Sequence, residues 1–278
     1  MPEVHNAPTA REGRLIMDPT TFWHAFADHS ARLYGGAPAF VGWRTERAFA
    51  NLTGEPNLDL NLCGLHGGAT ASDATGLVAV IDAAGCPAVV PVTPSVGADA
   101  RAVLVGAGFA PLEEERVLWR PGRTIQAAPG PFSVRMAAEA SDLAAASRVI
   151  ADAHGTATDL VERVFGLEEW RNGTIECWLA FDGEEAASVG WFTFGDGLVG
   201  VWEMMTSPRH RRRGAARAAL SGGLAASRGR APGGAFLWAS PMGAPLYGAL
   251  GFQTVEPVVP YVRGGTLEEL ALIGASPA

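Results

Sequence analysis

The sequence contains no lysine. All 21 of its strongly basic side chains are arginines, and 29 acidic residues outnumber them, so that the 278-residue chain has a formal net charge of −8 at pH 7. A chain with this balance is not expected to coat nucleic acid or an anionic membrane without specificity. The absence of lysine is most simply explained by codon usage in a GC-rich genome.

Cysteine and long apolar runs are also scarce. The three cysteines are far apart and form no CxxC pair, so neither a disulfide framework nor a zinc site is predicted. No run approaches the roughly 18 apolar residues of a membrane span, and residues 1–19 lack the apolar centre of a secretory signal. We therefore expect a soluble, cytoplasmic protein that needs no metal.

The sequence does have the composition of a globular protein, with 48% hydrophobic and 18% charged residues. Its length suggests about two domains. Proline, glycine and small residues dominate residues 120–131, which suits a linker. We predict one domain over 1–125 and a second over 130–265.

The two predicted domains resemble each other near their ends. Residues 88–119 and 235–262 each predict an apolar strand, a Pro/Gly turn, a short helix, a Gly-Phe pair and a second strand. The pairs are Gly108-Phe109 and Gly251-Phe252. This likeness favours a duplication of one ancestral unit.

Hydrophobic periodicity predicts an α/β fold in which each domain is a central mixed β-sheet flanked by helices. In the second domain we predict strands at 132–137, 177–183, 187–195, 198–205 and 235–240, and helices at 142–155, 158–170 and from about Gly214. In the first domain we predict helices at 20–36 and 73–84, and strands at 38–50, 57–65 and 88–92.

The most unusual segment is RHRRRGAARAAL, residues 209–220, in which five arginines stand beside very small residues. It follows a strand that ends near Pro208, and a helix begins near Gly214. The free N–H groups and the dipole of a helix start attract anions. A phosphate must approach that backbone closely, and small side chains leave room for it. A nucleic-acid patch would need the arginines alone, so the segment favours a site for one phosphorylated ligand.

This segment also resembles a known family. Residues 211–216, RRRGAA, fit the (Gln/Arg)-x-x-Gly-x-(Gly/Ala) signature of the GNAT superfamily of acyl-CoA-dependent N-acyltransferases. The Ser207-Pro208 pair before it and LYGALGF (246–252) after it resemble the same superfamily, and the likeness covers residues 130 to 265. It implies acetyl-CoA, or another acyl-CoA, as co-substrate.

The resemblance implies positions for that co-substrate. Its pantetheine arm would lie where two strands splay apart, along the backbone of Met204, Met205 and Thr206. Ser240 stands where many members have an asparagine that contacts the cofactor, and Gly243 stands where alanine is common. The diphosphate would lie on the turn made by Arg211, Arg212, Arg213, Gly214, Ala215, Ala216 and Arg217.

The resemblance also implies a catalytic acid, and the only carboxylate on the strand that borders the split is a candidate base. Tyr247 matches the tyrosine that in many members protonates the leaving thiolate, and the alternative is a phenol that only packs on the cofactor. Glu203 is the candidate base, directly or through water, and the alternative is that it faces solvent or an arginine. Strand alternation places Glu203 and Met205 on one face, and Trp202 and Met204 on the other.

Several other side chains have structural interpretations. We expect His210 and the run at 113–115 to be solvated. The tryptophans on adjacent predicted strands, Trp178, Trp191 and Trp202, are expected in the core rather than in a pocket. Gly222 and Gly223 would allow the helix to pack closely against the first domain.

The first domain lacks both site features. The segment after its strand at 57–65, HGGATASDATG, has no arginine, and Leu104 stands where the second domain has Tyr247. We expect a degenerate GNAT-like domain that shapes the acceptor pocket, in a monomer that acylates a small-molecule amine. Two alternatives stay open: an aminoacyl-tRNA donor bound by the arginines, and an acyl-CoA-binding protein without catalysis.

Overall fold

The computed structural model describes residues 10–11, 14–15, 17–123, 125–126, 130–154, 158–159, 163–165 and 170–265. Within these ranges no helix is long and apolar enough to cross a membrane, and no group of three or more His, Cys, Asp or Glu side chains could hold a metal ion. The helix predicted at 158–170 falls largely outside the described residues.

The first half of the chain alternates short strands with three helices. These are β1 (Ala10–Arg11), β2 (Arg14–Leu15), α1 (Pro19–Tyr34), β3 (Val41–Arg44), β4 (Ala48–Leu52), β5 (Asn61–Leu65), α2 (Ala71–Ala84), β6 (Ala88–Val92), α3 (Ala98–Gly106), β7 (Ala110–Pro111) and β8 (Glu115–Arg120). The second half consists of β9 (Ser133–Met136), α4 (Ala140–His154), β10 (Ile175–Asp182), β11 (Glu185–Gly195), β12 (Leu198–Thr206), α5 (Ala215–Ser227), β13 (Gly234–Ala239), α6 (Ala244–Ala249) and β14 (Gln253–Arg263).

The predicted mixed α/β architecture is confirmed, and two first-half strands differ from the prediction. The strand predicted at 38–50 is in fact the hairpin of β3 and β4. The chain turns between them because the Thr45 hydroxyl accepts hydrogen bonds from the amides of Arg47 and Ala48. The strand predicted at 57–65 begins only at Asn61, after a 3₁₀ turn at Leu58–Leu60. The Asn61 side chain bonds four backbone groups of the preceding loop and thereby fixes that turn.

Twelve strands form one sheet, which runs through both halves of the chain. The strand order is β3-β4-β5-β6-β14-β8-β13-β12-β11-β10-β9, and β7 pairs with β14. Thus β8, which ends the first half, lies against β13 of the second half, and the last part of β14 pairs with β6 of the first half. The two halves exchange their final strands, so the described strands form one continuous sheet across the place where the halves meet.

The predicted repeat has a structural counterpart at the two Gly-Phe pairs. Gly108 and Gly251 have φ values of 86° and 84°, in the left-handed region that glycine tolerates. The amide that follows each glycine donates to a carbonyl five residues earlier, at Leu104 in one half and at Tyr247 in the other. Leu104 and Tyr247 therefore occupy equivalent positions, as the sequence predicted.

The largest core cluster joins the halves through helix α1. Phe22 and Phe26 of this helix pack on Phe236 of β13, and the ring of Phe26 lies 4.9 Å from that of Trp202 of β12. Trp191 is fully buried in the same cluster. A helix of the first half thus covers the centre of the second half's sheet, which places its residues beside the predicted site.

Candidate functional site

A cavity opens where β12 and β13 separate. These parallel strands pair only from Leu198 to Gly200 and from Gly234 to Phe236. Beyond that point no described strand pairs with the β12 edge that faces β13, so the predicted splay is confirmed. The gap widens into a cavity of about 660 Å³ that residues of both halves line. A second cavity, of about 530 Å³ near Cys86, contains none of the predicted site residues.

A β-bulge at Glu203 corrects the predicted alternation of side chains. The register with β11 shifts between Val189 and Trp191, so two residues of β12 stand opposite Gly190. Glu203 adopts a left-handed φ of 46° at this bulge. As a result Trp202 and Met205 pack on the same core cluster, and only Met204 packs on the opposite face. Glu203, which contacts Tyr34 of that cluster, shares a face with Met205 as predicted. The prediction that Trp202 shares a face with Met204 is wrong because the bulge adds one residue to the strand.

The turn after β12 presents a row of backbone amides at the start of α5. Arg212 and Gly214 have φ values of 63° and 94°, and Gly214 provides no side-chain cap. Among the residues that the structure describes, no protein group accepts a hydrogen bond from the amides of 212–217. The first amide of the helix to donate is that of Ala218, to Gly214 O at 3.0 Å. Such a row can satisfy its hydrogen bonds with an anion.

The corresponding helix of the first half is closed to an anion. Thr70 and Asp73 form a reciprocal capping box at the start of α2, in which the side chain of each accepts the other's backbone amide. The Asp73 carboxylate also occupies the positive end of the helix dipole. Its pKa is lowered, first by the hydrogen bond from the Thr70 amide. The helix therefore already holds its own negative group.

The arginines around the turn divide into two groups. Arg209 forms an ion pair with Glu185, and Arg213 forms one with Asp182 at 2.8 Å and lies over the ring of Phe132. The side chains that line the cavity are those of Arg211, Arg212 and Arg217. Arg213 is not among the lining residues, although its amide belongs to the turn.

Two residues of this turn differ from the interpretation of the sequence. His210 is only 4% exposed, and its Nε2 lies 3.6 Å from Asp182, so the prediction that it is solvated is wrong. Ala215 is fully buried against Ala180 and Ala187 of the sheet. Its small size therefore serves helix–sheet packing in addition to leaving room for a ligand.

Tyr247 and Ser240 face the cavity from the other side of the split. Tyr247 is buried, and a Cβ at Gly243 would lie 2.8 Å from its ring, so glycine there makes room for the tyrosine. Burial, followed by the nearby Glu203, raises the pKa of Tyr247, which keeps the phenol protonated. Ser240 Oγ accepts the amide of Gly243 at 3.3 Å and thus orders the turn into α6.

Glu203 faces the first half of the chain. Burial, and then the charge of Asp59, raises the pKa of Glu203 to about 8. The Tyr34 hydroxyl, at the end of α1, donates to Glu203 Oε1 at 3.2 Å and opposes that rise. The Tyr34 ring stacks on Phe165, which fixes its position. A half-buried carboxylate in this setting can exchange a proton near neutral pH.

Seven of the residues that line the cavity belong to the first half. Its lining residues are Phe26, Tyr34, Leu58, Asp59, Leu62, Val89 and Glu115. None of them was a predicted site residue, and Glu115 was expected to be solvated with its neighbours. Glu113 and Glu114 are exposed as predicted, whereas Glu115 is only 6% exposed. The scarcity of tyrosine was one feature of the sequence that could have drawn attention to Tyr34. The chain has only three tyrosines, and two of them, Tyr34 and Tyr247, line the cavity.

The three tryptophans and two glycines also have defined positions. Trp191 is a core residue, whereas Trp202 both packs in the core and lines the cavity. Trp178 is partly buried on the opposite face of the sheet.

The two helix glycines pack against the sheet. A Cβ at Gly222 would meet Val134 at 2.6 Å, and one at Gly223 would meet Phe192 at 2.4 Å. Both contacts are with strands of the second half, so packing against the first half is not the reason for these glycines.

Comparison with known proteins identifies the fold. The sequence matches no protein-family model and no curated protein sequence significantly. A GCN5-related N-acetyltransferase from Kribbella flavida is similar in structure, with a TM-score of 0.64, 18% identity, and coverage of 90% of this chain and 97% of the other. One from Sphaerobacter thermophilus has a TM-score of 0.56, 15% identity, and coverage of 80% and 79%.

A tandem GNAT protein from the clavulanic acid biosynthesis pathway is also similar, with a TM-score of 0.52, 12% identity, and coverage of 83% of this chain and 85% of the other. The chain thus has the GNAT fold, in the tandem arrangement that the sequence predicted.

Proposed function

We propose that this protein is an N-acyltransferase that transfers an acetyl or related acyl group from acyl-CoA to the amine of a small molecule. The observation that carries the proposal is the row of amides at 212–217, which have no protein acceptor in the described ranges and open onto the same cavity as Glu203 and Tyr247. A diphosphate is the ligand that this row and its three lining arginines suit best.

The acyl-CoA supplies an activated thioester, and the residues around the cavity divide the remaining work. The unpaired edge of β12 at Met204, Met205 and Thr206 holds the pantetheine arm in the manner of an added strand. Glu203 removes a proton from the attacking amine, whose nitrogen forms the new C–N bond as the C–S bond breaks. Tyr247 gives its proton to the departing sulfur. The first half encloses the acceptor and binds no acyl-CoA of its own.

The alternative donor, aminoacyl-tRNA, has less support. Two of the five arginines, Arg209 and Arg213, are neutralised by ion pairs with the adjacent hairpin. The rest line one cavity rather than a broad basic face of the kind that RNA binding uses. We therefore propose a small-molecule acceptor and a monomeric enzyme.

The experiment that tests the proposal combines binding and turnover. Titration calorimetry should detect CoA binding, and incubation with radiolabelled acetyl-CoA and a panel of amines should give labelled amide. The Tyr247→Phe variant should bind CoA and acylate slowly. Absence of CoA binding would refute the site assignment, whereas CoA binding without transfer to any amine would favour an acyl-CoA-binding protein. The molar mass from light scattering should correspond to one chain, and a larger mass would contradict the proposed monomer.

A further inference from the structure

The cavity is lined by basic side chains from one segment and by carboxylates from several. All the lining basic side chains come from residues 210–217. The lining carboxylates are those of Asp59, Glu115 and Glu203, and the remaining first-half lining residues are apolar or tyrosine. The proposed function uses the basic segment for the diphosphate and Glu203 for proton transfer. It gives no role to Glu115.

Glu115 reaches the cavity because of the strand exchange. It begins β8, where the pairs Arg116–Ala239 and Val117–Trp238 set the register with β13. Since side chains alternate along a strand, Glu115 and Val117 share a face with Trp238. That face is the one covered by the largest core cluster, which contains Val117 and contacts Trp238. Glu115 therefore projects beside the split, among apolar groups.

The carboxyl group of Glu115 and the indole of Trp238 lie close together, and neither is fully satisfied within the described part of the chain. Glu115 is more than nine-tenths buried, and neither its Oε1 nor the indole Nε1 forms a hydrogen bond of normal geometry. The indole is near enough to lower the pKa of Glu115 against the effect of burial. Native proteins keep few buried polar atoms without a full partner. Both residues line the cavity, so a bound cation can reach the carboxyl group of Glu115.

We infer that the acceptor carries a second cationic group, separated from the reacting amine by an apolar segment, and that Glu115 binds it. The acceptor class is thus an aliphatic diamine or polyamine. The apolar segment would lie along Leu58, Leu62 and Val89, and the indole of Trp238 can add a cation–π contact. Burial raises the pKa of Glu115 to about 8, and a bound cation restores the carboxylate. The inference rests on the proposed function and specifies its substrate.

Turnover of matched acceptors tests this inference. A series of α,ω-diaminoalkanes is compared with n-alkylamines of the same length, and with ω-amino acids that place a carboxylate at the far end. We expect kcat/KM to be at least about tenfold higher for the best diamine than for its alkylamine, and lowest for the amino acid, because a charge-assisted bond to a buried carboxylate contributes that much.

The Glu115→Gln variant tests whether Glu115 causes the preference for diamines over alkylamines, since the change conserves shape and removes the negative charge. It should raise KM for the diamine about tenfold and leave kcat and the alkylamine kinetics within about twofold. Glu114→Gln, at the exposed neighbouring position, is the control and should change neither. Equal use of diamine and alkylamine by the wild-type protein, or an equal loss for both in Glu115→Gln, would overturn the inference and leave the proposed function intact.

A binding measurement separates the two proposals. Calorimetric titration with the diamine in the presence of CoA requires no turnover. Tighter binding to the wild-type protein than to Glu115→Gln, together with no acyl transfer, would support the diamine site at Glu115 and refute the transferase. Absence of any diamine binding would refute the site.

Discussion

The ionisation of Glu203 gives a pH dependence that can be tested by two opposite perturbations. Its pKa of about 8 results first from burial and then from the charge of Asp59, against the hydrogen bond from Tyr34. If Glu203 is the base, kcat/KM rises with pH until the carboxyl group is ionised, near pH 8. Tyr247, the candidate acid near it, stays protonated throughout because its own pKa is raised.

Changes at Tyr34 and Asp59, the two neighbours of Glu203, should move the rising limb of the kcat/KM–pH profile in opposite directions. Tyr34→Phe removes a 3.2 Å hydrogen bond to the carboxylate. Bonds to charged groups contribute about 1.5–3 kcal/mol, and 1.36 kcal/mol corresponds to about one pH unit, so this long bond supports a shift of about one unit upward. Asp59→Asn removes a like charge and shifts the limb to lower pH. Its backbone carbonyl, which also faces the Tyr34 hydroxyl, is retained.

The assay measures kcat/KM for one amine from pH 6 to 10, with acetyl-CoA saturating and released CoA detected by a thiol reagent. The ionisation of the amine itself is common to all variants and cancels in the comparison. Glu114→Gln should leave the limb in place. Shifts of the same sign in Tyr34→Phe and Asp59→Asn, or a limb that neither change moves, would refute Glu203 as the base.

Four further substitutions have defined outcomes. Tyr247→Phe should lower kcat about 10²–10⁴-fold with little change in the Kd for CoA measured by calorimetry, because a positioned acid contributes this much to rate and packing is retained. Arg212→Ala should raise that Kd about tenfold, whereas Arg213→Ala should leave it within about twofold and lower Tm, since its side chain is held in an ion pair with Asp182. Gly223→Ala should lower the free energy of unfolding, measured in urea, by about 1–3 kcal/mol, because the added Cβ would meet Phe192. Helix propensity alone would favour alanine by about 1 kcal/mol. A more stable variant would therefore contradict the packing argument.

The parts of the site that the sequence predicted are local. The amide row lies within one contiguous turn, and Tyr247 is placed by the helix and Gly-Phe pair of the same segment. Each of these features depends on the order of a few neighbouring residues. A sequence pattern can therefore identify them without knowledge of how distant segments pair.

The parts that the sequence missed depend on distant pairing or on local strain. Tyr34 and Asp59 meet Glu203 from segments 169 and 144 positions earlier in the numbering, and Glu115 enters the cavity only because β8 pairs with β13. The bulge at Glu203 holds a non-glycine residue at a φ of 46°. The rule that side chains alternate along a regular strand does not anticipate such a bulge. The predicted domain limits, 1–125 and 130–265, stay a prediction.

The strand exchange brings lining residues of both halves to one cavity. Because β8 lies between β13 and β14, the strand that carries Glu115 is held in the sheet that carries Tyr247 and the amide row. The same sheet is covered by α1, which holds Tyr34 against Glu203. On the proposed function, the first half, whose helix α2 caps itself, acts only through the acceptor wall. Substitutions at that wall should therefore change acceptor choice without changing affinity for CoA.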